Sequence, residues 1–188
     1  MKTQNILLLL LIGLLTGCFS EKHLEFMNVP MNGNIDKYAG ELISQGFTVS
    51  AQTKEDQIVL NGEYLEKNCE IYLYGTSKSK TIYKVTVNLP GEARDSLETS
   101  FIKTQKLYTS KYGNGRSKYR QFKNASRFMF NESKRVWHVS IGDNTRYTTD
   151  AGIITVEVRE GYISITYLDK LNNEIGKREL QEVNLIQN

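Results

Sequence analysis

Two amphipathic helical stripes, each followed by a series of alternating strands, predict an α+β domain in which helices lie on antiparallel sheet. The first stripe is Ile35, Tyr38, Ala39, Leu42 and Ile43, and the second is Leu97, Phe101, Thr104, Tyr108 and Tyr112. The pair Glu160-Gly161, set between two alternating runs, adds the turn signal of an antiparallel hairpin. The order helix, strands, helix, strands suggests an internal duplication with halves at residues 26–91 and 92–188, although no residue-level repeat carries it.

Each element has its own local reason. A helix is expected over residues 35–45, where Asn34 can accept from the free N–H groups of the first turn, Asp36 suits the positive end of the dipole, and Gly46 can end it. Strands follow over residues 47–51, 58–64, 69–74 and 82–89, with polar turns at 53–56 and 77–80. Tyr83, Val85, Val87 and Leu89 alternate with Lys84, Thr86 and Asn88, which gives the last of these strands one dry and one wet face. Pro90-Gly91 closes the first unit. A second helix is expected over residues 96–112 with Gly113 as its stop, then strands over 137–141, 152–159 and 162–168, and a short amphipathic last turn over 180–186.

Ahead of this domain stands an apolar run, residues 6–15, that is too short to cross a bilayer core of about 30 Å as a helix. With Lys2 before it and the small-residue string Leu15-Thr16-Gly17-Cys18 after it, the segment resembles a bacterial lipoprotein signal peptide. The resemblance implies cleavage before Cys18, a diacylglycerol on its thiol and a third acyl chain, such as palmitate, on its amine. Two or three chains make a stable anchor, since each buried CH₂ contributes about 0.8 kcal/mol. Residues 1–17 are then a signal peptide, residues 18–25 a polar lipidated tether and residues 26–188 one folded domain. Phe19 is not the aspartate that resembles an inner-membrane retention signal, and residues 20–23 are not the acidic run that resembles a surface-export tag. The expected address is the periplasmic face of an outer membrane, with the cell surface as the alternative. A secretory signal with an incidental cysteine, or an uncleaved anchor helix, is the lesser alternative for the same residues.

The formal charge of +3 falls to +2 over the 171 residues from Cys18 onward, so net charge alone selects no partner. Cys69 is the one cysteine besides Cys18, which leaves the mature domain no internal disulfide. Its alternation with Ile71 and Leu73 places it in a core as an inert thiol.

The strings Phe26-Met27-Asn28-Val29-Pro30-Met31-Asn32-Gly33, Ser44-Gln45-Gly46-Phe47, Asn68-Cys69-Glu70-Ile71-Tyr72, Lys111-Tyr112-Gly113 and Ile165-Thr166-Tyr167-Leu168-Asp169 resemble an uncharacterised family of small lipoproteins from anaerobic gut Gram-negative bacteria. The resemblance implies the same fold and address and brings no activity, cofactor or catalytic residue with it.

Reactive clusters are not legible. His23 and His138 lack the spacing of metal ligands, no serine stands in a nucleophile elbow, and Gly113-Asn114-Gly115 is not a phosphate loop. Asp143, Asp150, Asp169 and Glu174 are read as solvated turn residues. No catalytic residue, metal or cofactor is therefore assigned, and nucleic acid is not an expected partner. One segment departs from the average: residues 111–135 hold eight basic side chains against Glu132, a local +7. Arg116, Lys118, Arg120, Lys123 and Arg127 form a candidate site for anionic lipid or glycan, with Tyr119 and Phe122 as aromatic contacts. A solvated edge strand guarded by its charges accounts for the same residues. The expected function is a non-enzymatic envelope lipoprotein that binds or scaffolds. A protein-docking or inhibitor module is the alternative, marked by an apolar patch where Tyr72 and Tyr74 project. A hydrolase would need converging carboxylates or a partnered His138 in a deep pocket.

Overall fold

The computed structural model describes residues 21–54, 56–90, 94–117 and 142–186. A minimal hairpin, β1 (Glu25–Phe26) with β2 (Val29–Pro30), precedes helix α1 (Ile35–Ser44). Strands β3 (Thr48–Lys54), β4 (Gln57–Tyr64), β5 (Lys67–Gly75) and β6 (Ile82–Pro90) follow. Helix α2 (Arg94–Tyr112) leads to β7 (Arg116–Ser117), β8 (Asn144–Thr148), β9 (Gly152–Arg159), β10 (Tyr162–Asp169) and helix α3 (Lys170–Ile186). The large sheet has the order β3-β4-β5-β6-β10-β9-β8-β7, with every neighbouring pair antiparallel. The α+β class follows from this architecture. The last strands of the two halves meet at its centre, with Val87 opposite Ile165.

Register explains the core. Leu60, Ile71, Val87, Ile165 and Val156 stand side by side on five strands, and all are fully buried. Ile35, Tyr38, Ala39 and Leu42 of α1 and Phe101 and Tyr108 of α2 belong to the same cluster, so both helices cover this face. The Asn34 side chain accepts from Asp36 N at 2.8 Å, and Gly46 takes a φ of +103°, as the helix ends require. Ile43, expected on the α1 stripe, is exposed instead, because four residues already complete the buried arc. Tyr83, expected on the dry face of β6, leaves it as well. A register shift between β5 and β6 turns Ile82 inward in its place.

The two halves are sewn together by tyrosines. The hydroxyls of Tyr64, Tyr108 and Tyr167 bond to one another, Tyr64 to Tyr108 at 2.8 Å and to Tyr167 at 3.3 Å. Phe26 from the first hairpin packs its ring 5.1 Å from that of Tyr64 and 5.3 Å from that of Tyr167. Burial, with the neighbouring phenols, raises Tyr108 and Tyr167 well above the ordinary tyrosine range, so these two stay neutral.

Several expectations need correction. The chain joins the fold earlier than residue 26: Leu24 is buried, its N–H donates to Asp169 Oδ2 at 2.9 Å, and Met31 N donates to Leu24 O. Asp169 is no solvated turn residue but is fully buried, accepting also from Asn172 N at 3.0 Å and lying 3.2 Å from His23 Nδ1. It thereby caps α3, which spans Lys170–Ile186 rather than one last turn. The hairpin between β3 and β4 is tighter than expected, since Lys54 pairs with Gln57. Strands β1, β2, β7 and β8 were not expected, and residues 137–141, with His138, lie outside the described residues.

Candidate functional site

The face of the sheet opposite α1 and α2 carries the alternate residues of each strand. Thr48, Asn61, Glu70, Asn88 and Ser164 form a polar row across β3, β4, β5, β6 and β10. Tyr72 pairs with Thr86 on one side of this row, and Tyr162 with Pro90 on the other. Relative to Asn88, the two tyrosines therefore occupy opposite diagonals of a three-strand patch. Together with Thr48, Asn61 and Glu70 they line an open groove of about 660 Å³. Gly62 touches the groove through its backbone only; its side-chain position points to the core, where a Cβ would stand 2.1 Å from the ring of Phe47.

The groove is polar but almost uncharged. Glu70 is its one ionisable acid or base apart from the phenols and the Cys69 thiol among the described lining residues, and no lysine, arginine or histidine is there. The Tyr72 hydroxyl donates to Glu70 Oε2 at 3.0 Å; burial first, then Glu70, raises the phenol above its ordinary range. Asn88 is the informative residue. Its Oδ1 is covered and has no hydrogen-bond partner, the one such side-chain atom among the described residues.

Elsewhere on this face polarity is already paired. Lys84 Nζ lies 3.7 Å above the Tyr74 ring, where burial lowers its pKa, and Arg159 meets Glu157 at 2.7 Å. Lys84, Thr86 and Asn88 of β6 stand between Tyr72 and Tyr74, which are neighbours on β5, and Tyr162 on β10. A second concavity of about 430 Å³ lies between α2 and the β4–β5 turn, floored by Leu65, Leu89, Leu107 and Ile163. Its rim is self-satisfied, Lys67 donating to Ser100 at 3.0 Å and Lys103 lying 3.8 Å from Glu66.

The residues singled out in the sequence are not gathered at the groove. Arg116 is exposed on β7 at the far edge of the sheet, opposite Arg146. Cys18, Lys118, Tyr119, Arg120, Phe122, Lys123 and Arg127 lie outside the described residues. The four acidic residues are dispersed: Asp143 precedes β8 with its carbonyl accepting from Val158 N at 2.9 Å, Asp150 faces Lys22 at 3.5 Å, Glu174 meets Lys177 at 2.7 Å, and Asp169 is buried at the base of α3. Among the described residues no three histidine, cysteine or acidic side chains could hold a metal ion. Cys69 is buried, and burial pushes its thiol up to about 11. Sequence pattern did place Asn88 on a wet face. Its neighbours Tyr72 and Tyr162 come from strands 16 and 74 residues away in sequence, a juxtaposition only the strand order reveals. No family model, curated protein or solved structure matches the chain.

Proposed function

We propose that the protein is a non-enzymatic, lipid-anchored binding protein of the cell envelope that recognises its ligand on the wet face of the sheet. One observation carries the binding half of this reading: a covered, unpartnered Asn88 oxygen flanked by Tyr72 and Tyr162 in an open groove. An unmet buried acceptor costs about 1–3 kcal/mol, and a ligand that donates to it returns that cost on binding. The leader that resembles a lipoprotein signal peptide supports the anchor at Cys18, and with it the periplasmic face of an outer membrane. The likeness to gut-bacterial lipoproteins points the same way. The strand order, two helix-plus-strands units joined through β6 and β10, supports an internal duplication. A second surface is favoured by Arg116 and Arg146, like charges placed side by side at the β7 edge, which suit an anionic lipid or glycan.

The address is tested in cells. Cys18→Ala should abolish metabolic acyl labelling and move the protein from the membrane to the soluble or precursor fraction; labelling that persists contradicts the anchor. Protease added to intact cells should leave a periplasmic protein whole until the outer membrane is broken.

A further inference from the structure

We propose that the groove binds a neutral, hydroxyl-rich saccharide, a proposal that rests on the wet face being the recognition surface. Charge is the first reason. Among the described lining residues Glu70 is the one charged side chain, and the cations nearby on this face are already engaged, Arg159 beside Tyr162 by Glu157 and Lys84 by the Tyr74 ring, so an anionic ligand meets a carboxylate first. Hydrogen bonding is the second: Asn88 Oδ1 is an acceptor awaiting a donor, Glu70 has lone pairs beyond the one that takes the Tyr72 hydroxyl, and the Asn61 amide can both donate and accept. The end of an asparagine side chain turns about a broad, two-fold torsion, so the covered oxygen can swing to meet a ligand hydroxyl. Shape is the third. Tyr72 and Tyr162 offer flat apolar faces with polar tips, the complement of a sugar ring with C–H faces and hydroxyl edges. Two diagonal steps of 7–8 Å each separate their backbones, roughly 15 Å in all, and the Tyr162 phenol is near enough to help raise that of Tyr72, so one short saccharide can reach both rings.

An extended peptide fits the same place poorly. Peptides add to a sheet through unpaired backbone groups at an edge, whereas β4, β5, β6 and β10, which carry Asn61, Glu70, Tyr72, Asn88 and Tyr162, are each paired on both sides, and the edge strand β3 brings only Thr48 to the groove.

The test uses the full-length chain, purified from membranes in a zwitterionic detergent without a sugar headgroup. It is applied to an array of neutral and acidic oligosaccharides of plant, host and bacterial origin, and calorimetry follows each hit. Binding should fall among neutral oligosaccharides, with a Kd changing less than twofold between 50 and 500 mM NaCl, roughly the range over which exposed charges become screened. Tyr72→Ala and Tyr162→Ala should each raise that Kd at least tenfold. Asn88→Leu should do the same while the thermal midpoint holds or rises, because an unmet polar atom has been removed. Hits confined to acidic glycans, no hit at all, or neutral hits indifferent to the three changes overturn the proposal. An acidic glycan or a peptide lost in both tyrosine variants would reject the saccharide class and leave the wet face standing. A ligand indifferent to both would reject the face as well.

Discussion

Single residues carry unequal weight in this fold. Asp169 joins the first folded residues to the last helix, accepting from Leu24 N and Asn172 N, while Asn172 Nδ2 donates to Met31 O and Ile82 O at 2.6 and 2.7 Å. Asp169→Ala should therefore cost about 3 kcal/mol, two buried N–H groups losing their acceptor at once. Urea unfolding measures the loss, and proteolysis of the folded protein should expose residues 21–24 before the rest. Cys69 is different. Fully packed and with a thiol near 11, it should react with thiol reagents only slowly at pH 7, where roughly one in ten thousand is thiolate. Cys69→Ala should cost about 1 kcal/mol through lost packing, with fast labelling of the native protein as the contrary result. Its burial was legible from alternation with Ile71 and Leu73. The burial of Asp169 was not, because two of the partners that make a buried carboxylate tolerable, Leu24 N and His23, lie more than 140 residues away in sequence.

At the scale of elements, α3 shows why one helix was read only as a last turn while two were read nearly whole. Its apolar residues are sparse, and Asn172, Asn173 and Gly176 are poor helix formers. Tertiary contacts at its start hold it, where Asn172 donates to Met31 O and Ile82 O. Midway along, Glu179 accepts from Lys78 N at 2.7 Å, Ser79 N at 3.2 Å and the Thr76 hydroxyl at 3.2 Å, locking α3 to the β5–β6 turn. Burial pushes this carboxyl up, but the bonds from Ser79, Lys78 and Thr76 outweigh it and leave it below its ordinary 4.5. A carboxyl lowered in the folded state stabilises fully above its unfolded value and loses that contribution as pH falls through its folded value. Glu179→Gln should accordingly lower the thermal midpoint at pH 7, and the gap to the parent should narrow as pH drops below about 4.5. A gap independent of pH would place the effect of Glu179 in packing instead. Helices α1 and α2 were legible because their stripes meet the core directly, as Ile35, Tyr38, Leu42, Phe101 and Tyr108 do.

Across the whole molecule, sequence periodicity was enough for the class, the hairpin at Glu160-Gly161 and the dry face of the sheet. It could not supply the strand order. That order brings Asn88 between Tyr72 and Tyr162 and sets Arg116 at the opposite edge, so the groove was illegible although each of its residues was visible. The account stands on the wet face being occupied where the protein works. Hydroxyl-radical footprinting compares Tyr72 and Tyr162 in intact envelopes with the same residues in the detergent-purified chain. Both tyrosines should be protected in the envelope and exposed after purification, while Leu185, exposed on α3, changes little. Equal labelling of Tyr72 and Tyr162 in the two states would contradict the account.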